Sequence, residues 1–201
     1  MSKKSYHHGN LREALVDAAL EILATDGVDG VSLRKVALKA EVSATALYTH
    51  FRDKRELLAV MAAQGFEGLS MAMLEQSKGI EDTAERLLAL ARGYVFFAIE
   101  NASLFQLMFG KQLTNLSEFP VLAEASANSY AMMTNAVAEQ MKDGKGEPRA
   151  QIGAAAAWSM MHGLATLIND GKITPESSGV DSIDDLIQQV ARVLIYTGLN
   201  E

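Results

Sequence analysis

The residues of this sequence that can do chemistry are spaced for recognition and not for turnover. None of the 201 residues is cysteine, which excludes thiol catalysis, disulfides and Cys-ligated zinc or iron–sulfur sites. No Gly-rich phosphate loop, nucleophile elbow or HExxH motif occurs. The acid pairs Glu81-Asp82 and Asp184-Asp185 stand where helices begin, as capping groups do. Of the four histidines, His7 and His8 are neighbours, a poor closed metal site and a better phosphate contact. His162 stands alone in the second half. No catalytic residue, cofactor or metal is expected, and the chain does not read as an enzyme. The informative stretch is 34–55, where six Lys/Arg meet only two acids and Ser43, Thr45, Tyr48 and Thr49 lie between two basic clusters. That is the chemistry of a surface for nucleic acid.

The spacing inside this stretch says what positions those groups. Leu33, Val36, Ala37 and Ala40 repeat at helical intervals, and a second short helix over about Ala44–Phe51 follows after Glu41-Val42-Ser43 alone. Three residues leave room only for a tight corner, with Val42 able to plug the angle and Ser43 able to cap the second helix. Leu47 and Phe51 point inward on that helix, while Thr45, Tyr48, Thr49 and Arg52 share the opposite face. The pair predicts a helix-turn-helix whose second helix can enter the major groove of DNA.

The remaining sequence supports a wholly helical frame. Apolar residues make up 49%, charged residues 21%, and there are only three prolines, so a buried core is expected and many short strands are not. Asn10, Asp53 and Asp82 each precede a glutamate by three residues, the pattern of a reciprocal cap. Ser182 and Asp185 form a weaker version. Helices are predicted over about Leu11–Thr25, Leu33–Ala40, Ala44–Phe51, from Asp53 to about Leu74, Thr83–Glu100, Ser103–Phe109, Pro120–Met141, Pro148–Asn169 and Ile183–Leu199. Loops are predicted at Lys142–Glu147 and Gly171–Asp181. The fold class is all-α. Residues 1–58 carry a net charge of +1 and the rest −8, an acidic body with a small basic head. Asp17 and Glu21 interrupt what would be a signal-peptide core. The charge-free stretch Ala150–Asn169 is nominally long enough for a membrane, but its polar residues and alanines suit a helix buried in protein. A soluble, cytoplasmic protein with no membrane partner is expected.

These residues carry a resemblance. Ser32-x-x-x-Val36-Ala37-x-x-Ala40-Glu41-Val42-Ser43-x-x-x-Leu47-Tyr48-x-His50-Phe51-x-Asp53-Lys54-x-x-Leu57 closely resembles the DNA-binding signature of the TetR family of bacterial regulators. The lead-in Tyr6-His7-His8-Gly9-Asn10-Leu11-Arg12 is similar to one found in that family. Glu41 departs from it, since the family usually has glycine there. A left-handed corner would cost a glutamate about 1 kcal/mol. The resemblance implies a DNA-binding domain at 1–58, a ligand-binding and dimerisation domain at 59–201, and a homodimer on a double-stranded operator. It implies that Ser32, Tyr48, His50 and Lys54 anchor phosphates, that Ala44, Thr45, Ala46 and Thr49 lie nearest the bases, and that Ser43 belongs to the same surface. Arg34 is placed for a guanine fork.

The second half resembles a narrower group named for a Trp-His-Gly signature, through Tyr94-x-x-Phe97-Ala98, Phe105-x-Leu107-Met108-Phe109 and Trp158-x-x-x-His162-Gly163-Leu164. That likeness implies a sensor for a small-molecule effector. Phe97, Phe109, Trp158, Met161 and His162 are the candidate lining of its pocket, and the same residues would serve equally as plain core. The expected ligand is neutral or cationic and largely apolar. Ala154–Ala157 with Ile183, Ile187, Val190, Val193 and Leu194 are expected at a four-helix dimer interface. The alternative is a DNA-bound adaptor that recruits a protein and needs no effector. A void-free second half would favour it.

Overall fold

A computed structural model describes residues 11–142 and 147–197, and every regular element among them is a helix. The order is α1 (Leu11–Gly30), α2 (Leu33–Lys39), α3 (Ala44–Tyr48), α4 (Lys54–Ser77), α5 (Thr83–Glu100), α6 (Ala102–Met108), α7 (Pro120–Gln140), α8 (Pro148–Asn169), α9 (Pro175–Ser178) and α10 (Ile183–Thr197). Two single 3₁₀ turns, Lys111–Leu113 and Leu116–Glu118, connect α6 to α7. The all-α expectation holds, and α5 and α8 have the predicted bounds.

The caps explain most of the boundaries. Asp53 accepts the Glu56 N–H at 2.9 Å, and the Glu56 carboxylate accepts the Arg52 N–H at 2.8 Å, one residue further back than a standard reciprocal cap. Asp82 accepts the Glu85 N–H at 2.9 Å. Ser182 accepts the Asp185 N–H at 3.0 Å and donates to the Asp185 carboxylate at 2.7 Å. The cap expected from Asn10 lies outside the described residues, as do His7 and His8. Gly27, at φ 68°, breaks α1 just past the predicted end at Thr25, and one more turn follows. The loop predicted at Gly171–Asp181 contains α9, which is held by a reciprocal cap. Ser177 N–H reaches Thr174 Oγ1 at 3.2 Å, and Thr174 N–H reaches Ser177 Oγ at 3.0 Å.

The chain forms two compact units, one of Met1–Gly65 with Ser103–Ala123 and one of Phe66–Ala102 with Glu124–Glu201. The head therefore includes residues 103–123, which a simple cut at residue 58 gives to the second domain. Its core shows why. Leu15, Leu23, Leu47, Phe51 and Leu57 are fully buried in the head, and Leu107, Leu113 and Leu122 are buried in the same unit. In the second unit α5 lies against both α8 and α10, burying Val95, Ala98, Ala154, Ala165 and Ile187. Among the described residues α4 alone is long and apolar enough to cross a membrane, and more than half of that stretch is buried in the protein, as in a core helix.

Candidate nucleic-acid interface and sensor core

In the head, two serines build the helix pair. Ser32 Oγ accepts the Lys35 N–H at 3.3 Å and starts α2, and Ser43 Oγ accepts the Ala46 N–H at 3.1 Å and starts α3. Each hydroxyl keeps a proton to donate elsewhere. The corner between them is left-handed at Glu41, with φ 56°, and Val42 N–H closes it onto the Ala37 carbonyl at 2.9 Å. Leu47 and Phe51 are fully buried, and this fixes the roll of α3. Thr45, Tyr48, Thr49 and Arg52 consequently face out, with Tyr48 58% exposed. Ala44 is exposed, and Ala46 and His50 are half-buried. Thr49 Oγ1 donates to the Ala46 carbonyl at 2.7 Å as α3 ends, short of the predicted Phe51. Arg34 is exposed on the first turn of α2. Lys54 Nζ donates to the Val28 carbonyl at 3.1 Å, so the expected phosphate anchor also ties the start of α4 to the end of α1.

In the second unit three signature residues meet. Trp158 Nε1 donates to the Tyr94 hydroxyl at 3.2 Å, and that hydroxyl lies 2.9 Å from His162 Nδ1. Trp158 and His162 sit one turn apart on α8, so one phenol on α5 can serve both. The Trp158 ring meets Tyr130 edge-on at 5.7 Å. Burial pushes the Tyr94 phenol well above its ordinary range, partly opposed by the Trp158 hydrogen bond, and burial lowers His162 below 6.5. The imidazole is therefore neutral at pH 7.

Tyr94 also borders an apolar cavity of about 40 Å³, whose lining includes Met73, Leu87, Met133, Met161 and Leu194 and no charged residue. This corrects the expected pocket. Only Met161 of the five predicted residues lines the cavity, while Trp158 and His162 touch its wall through Tyr94. Phe97 is buried beside Gly68, where an added Cβ would lie 3.1 Å from its ring. Phe109 belongs to the head unit, its ring 4.9 Å from Phe105, because the chain leaves the second unit after Ala102. Tyr94 was legible as the first residue of the Tyr94-x-x-Phe97 motif, though nothing in the sequence showed its partners.

The same unit sorts the residues expected at a dimer interface. Ala154, Ala157 and Ile187 are buried within the chain, whereas Ile152, Val193 and Tyr196 are 71%, 58% and 50% exposed. Ala155, Ala156 and Ser159 continue the exposed face of α8. Arg92 meets Asp184 at 2.6 Å, so its charge is neutralised at the surface of the unit.

A left-handed corner between two capped helices, with Thr45, Tyr48 and Thr49 turned outward, defines a helix-turn-helix DNA-binding protein. Residues 15–61 match the family described as bacterial regulatory proteins, tetR family, and residues 87–194 match the tetracyclin repressor-like C-terminal domain. The uncharacterized HTH-type transcriptional regulator YobS of Bacillus subtilis is 28% identical over 196 residues, 96% of each chain. A solved protein of unknown function from Rhodococcus sp. RHA1 is 31% identical, with a TM-score of 0.83 over 99% of this chain and 100% of that one. The class D tetracycline repressor of Escherichia coli is 43% identical over 53 residues, 26% of this chain and 24% of that one. The chain belongs to the TetR family of DNA-binding transcriptional regulators, which are not enzymes. These matches do not reach the Trp-His-Gly subgroup.

Proposed function

We propose that the protein is a ligand-responsive repressor, a cytoplasmic homodimer released from a near-palindromic operator when a small apolar molecule occupies its carboxy-terminal unit. The cavity beside Tyr94 carries this reading. It favours a sensor over an adaptor, whose second half has no need of a void. Its lining holds no carboxylate, which narrows the expected ligand from neutral or cationic to neutral. A volume of about 40 Å³ holds only a few waters, so a ligand must part the methionine side chains around it. Thioethers adapt well to such a guest.

On the DNA side, the exposed face of α3 reads bases through Thr45 and Thr49, with Ala44 and Ala46 close enough for apolar contact with thymine methyls. Arg34 supplies a guanine fork. Ser32, Ser43, Tyr48, His50 and Lys54 hold the backbone. Ligand and operator favour different arrangements of the dimer, with a coupling of about 1–3 kcal/mol, or roughly 5–150-fold in operator affinity.

The test has two stages. DNA selected from a random pool by the pure protein should converge on an inverted repeat. A panel of neutral, cationic and anionic apolar compounds should then yield neutral ones that raise the melting temperature and release that DNA together. Convergence on a single half-site, or an anion as the best effector, would overturn the reading.

A further inference from the structure

We infer that Arg12, which no motif marks, is a DNA phosphate contact at the end of α3. The inference rests on the helix-turn-helix being the surface that meets DNA. Seven Lys/Arg lie between Leu11 and Gly65. Five of them are engaged within the unit. Lys35 meets Asp26 at 3.4 Å, Lys39 meets Glu21 at 2.6 Å, Arg52 meets Asp53 at 3.0 Å and Arg55 meets Glu118 at 2.9 Å. Lys54 donates to the Val28 carbonyl. Of these seven, only Arg34 and Arg12 have no anionic or carbonyl partner among the described residues. Exposed ion pairs are weak and can be traded for a phosphate, but Arg34 and Arg12 give up nothing in the trade.

The position of Arg12 points to the same partner. Its guanidinium stacks 5.1 Å above the ring of Phe51, two residues beyond Thr49, the C-cap of α3. Stacking holds the guanidinium plane and leaves its N–H edge for a planar or tetrahedral oxyanion. Arg12 and Arg52 line one crevice with Glu56 and Glu118. Those two acids are already occupied, Glu56 by the Arg52 N–H and Glu118 by Arg55 and the Asn115 amide. A recognition helix reads bases with its N-terminal residues, so groups at its far end meet the wall of the groove, which is phosphate. The sequence before Arg12 carries Lys3, Lys4, His7 and His8 and no acid.

The experiment measures affinity against salt for the selected operator and for random duplex DNA, using the full chain. Arg12→Met keeps an alkyl stack on Phe51 and removes the charge, and Arg12→Gln is a second neutral variant. Circular dichroism and thermal melts establish which of them folds, and one folded variant suffices. The logarithmic salt slope should fall by about one unit on both DNAs alike, with affinity reduced several-fold. Arg12→Lys should restore the slope. A folded neutral variant with the wild-type slope overturns the role of Arg12 alone. A wild type that binds neither DNA overturns the head interface and Arg12 with it.

Discussion

Tyr94 receives a hydrogen bond from Trp158 and contacts His162 Nδ1, so one hydroxyl organises two polar groups inside an apolar wall. Trp158 and His162 were legible as a pair because they stand one helical turn apart. Their partner was not, because it lies 64 and 68 residues away and sequence spacing says nothing across that distance. Phe109 failed as a pocket residue for a related reason: aromatic content is visible in a sequence, but the unit that owns it is not. Tyr94→Phe removes the shared hydroxyl from two partly buried groups and should cost about 1–3 kcal/mol. His162 has a second consequence. Its folded pKa lies below the unfolded value of about 6.5, so between the two the unfolded chain binds more protons than the native one. Stability is then full above about pH 6.5 and is lost as pH falls through the folded pKa. Melting temperatures taken from pH 7.5 to 5.5 should fall further for the wild type than for His162→Gln. Equal slopes would show that folding does not shift the titration of this imidazole.

Among the elements, the corner between α2 and α3 was the most legible part of the chain. Its length was readable from three intervening residues, its caps from Ser32 and Ser43, and its strain from a glutamate where the family usually has glycine. The left-handed Glu41 confirms that strain. Glu41→Gly relieves about 1–2 kcal/mol of backbone cost and returns a few tenths to 1 kcal/mol through the more flexible unfolded chain. A gain of up to about 1 kcal/mol is expected, seen as a rise in melting temperature. A fall would mean that the glutamate makes up its strain elsewhere. The opposite case is Gly93 on α5. A Cβ there would stand 2.6 Å from Met73 Cα and 2.7 Å from the Ala72 carbonyl oxygen, both backbone atoms that cannot rotate away. Gly93→Ala should therefore destabilise by about 1–3 kcal/mol despite the better helix propensity of alanine. A more stable variant would contradict this close approach of α4 to α5. Periodicity could not reveal it, since a glycine in a helix reads the same whether it is packed or exposed. The four-residue α9 escaped notice because it is too short to show any period, although its Thr174 and Ser177 caps were in view.

For the whole molecule, the proposed inverted-repeat operator calls for two heads and so for an interface between two subunits. The sequence offered one broad apolar face on α10, and the single chain divides it. Leu186, Ile187, Ala191 and Ile195 turn into the unit and are at most 5% exposed, while Val193 and Tyr196 turn out. On α8, Ala154 and Ala157 turn in, and Ile152 turns out beside Ala155, Ala156 and Ser159. The outward sets are rich in small and branched residues, which let helices of two subunits approach closely. Two substitutions on these helices should then behave differently. Ile152→Arg or Val193→Arg places a charge where the single chain has solvent, so the variant should fold as a monomer and keep at most weak affinity for a half-site. Leu194 is half-buried on the wall of the cavity, so Leu194→Arg forces a charge against an apolar lining and should destabilise the carboxy-terminal unit itself. Sedimentation at micromolar concentration with parallel thermal melts separates the two. A monomeric wild type would refute the proposed dimer, and a dimer that survives both Ile152→Arg and Val193→Arg would place the interface elsewhere. The salt slope should register the same change. A monomer that contacts one half-site releases about half the counterions, so the slope should halve along with the site.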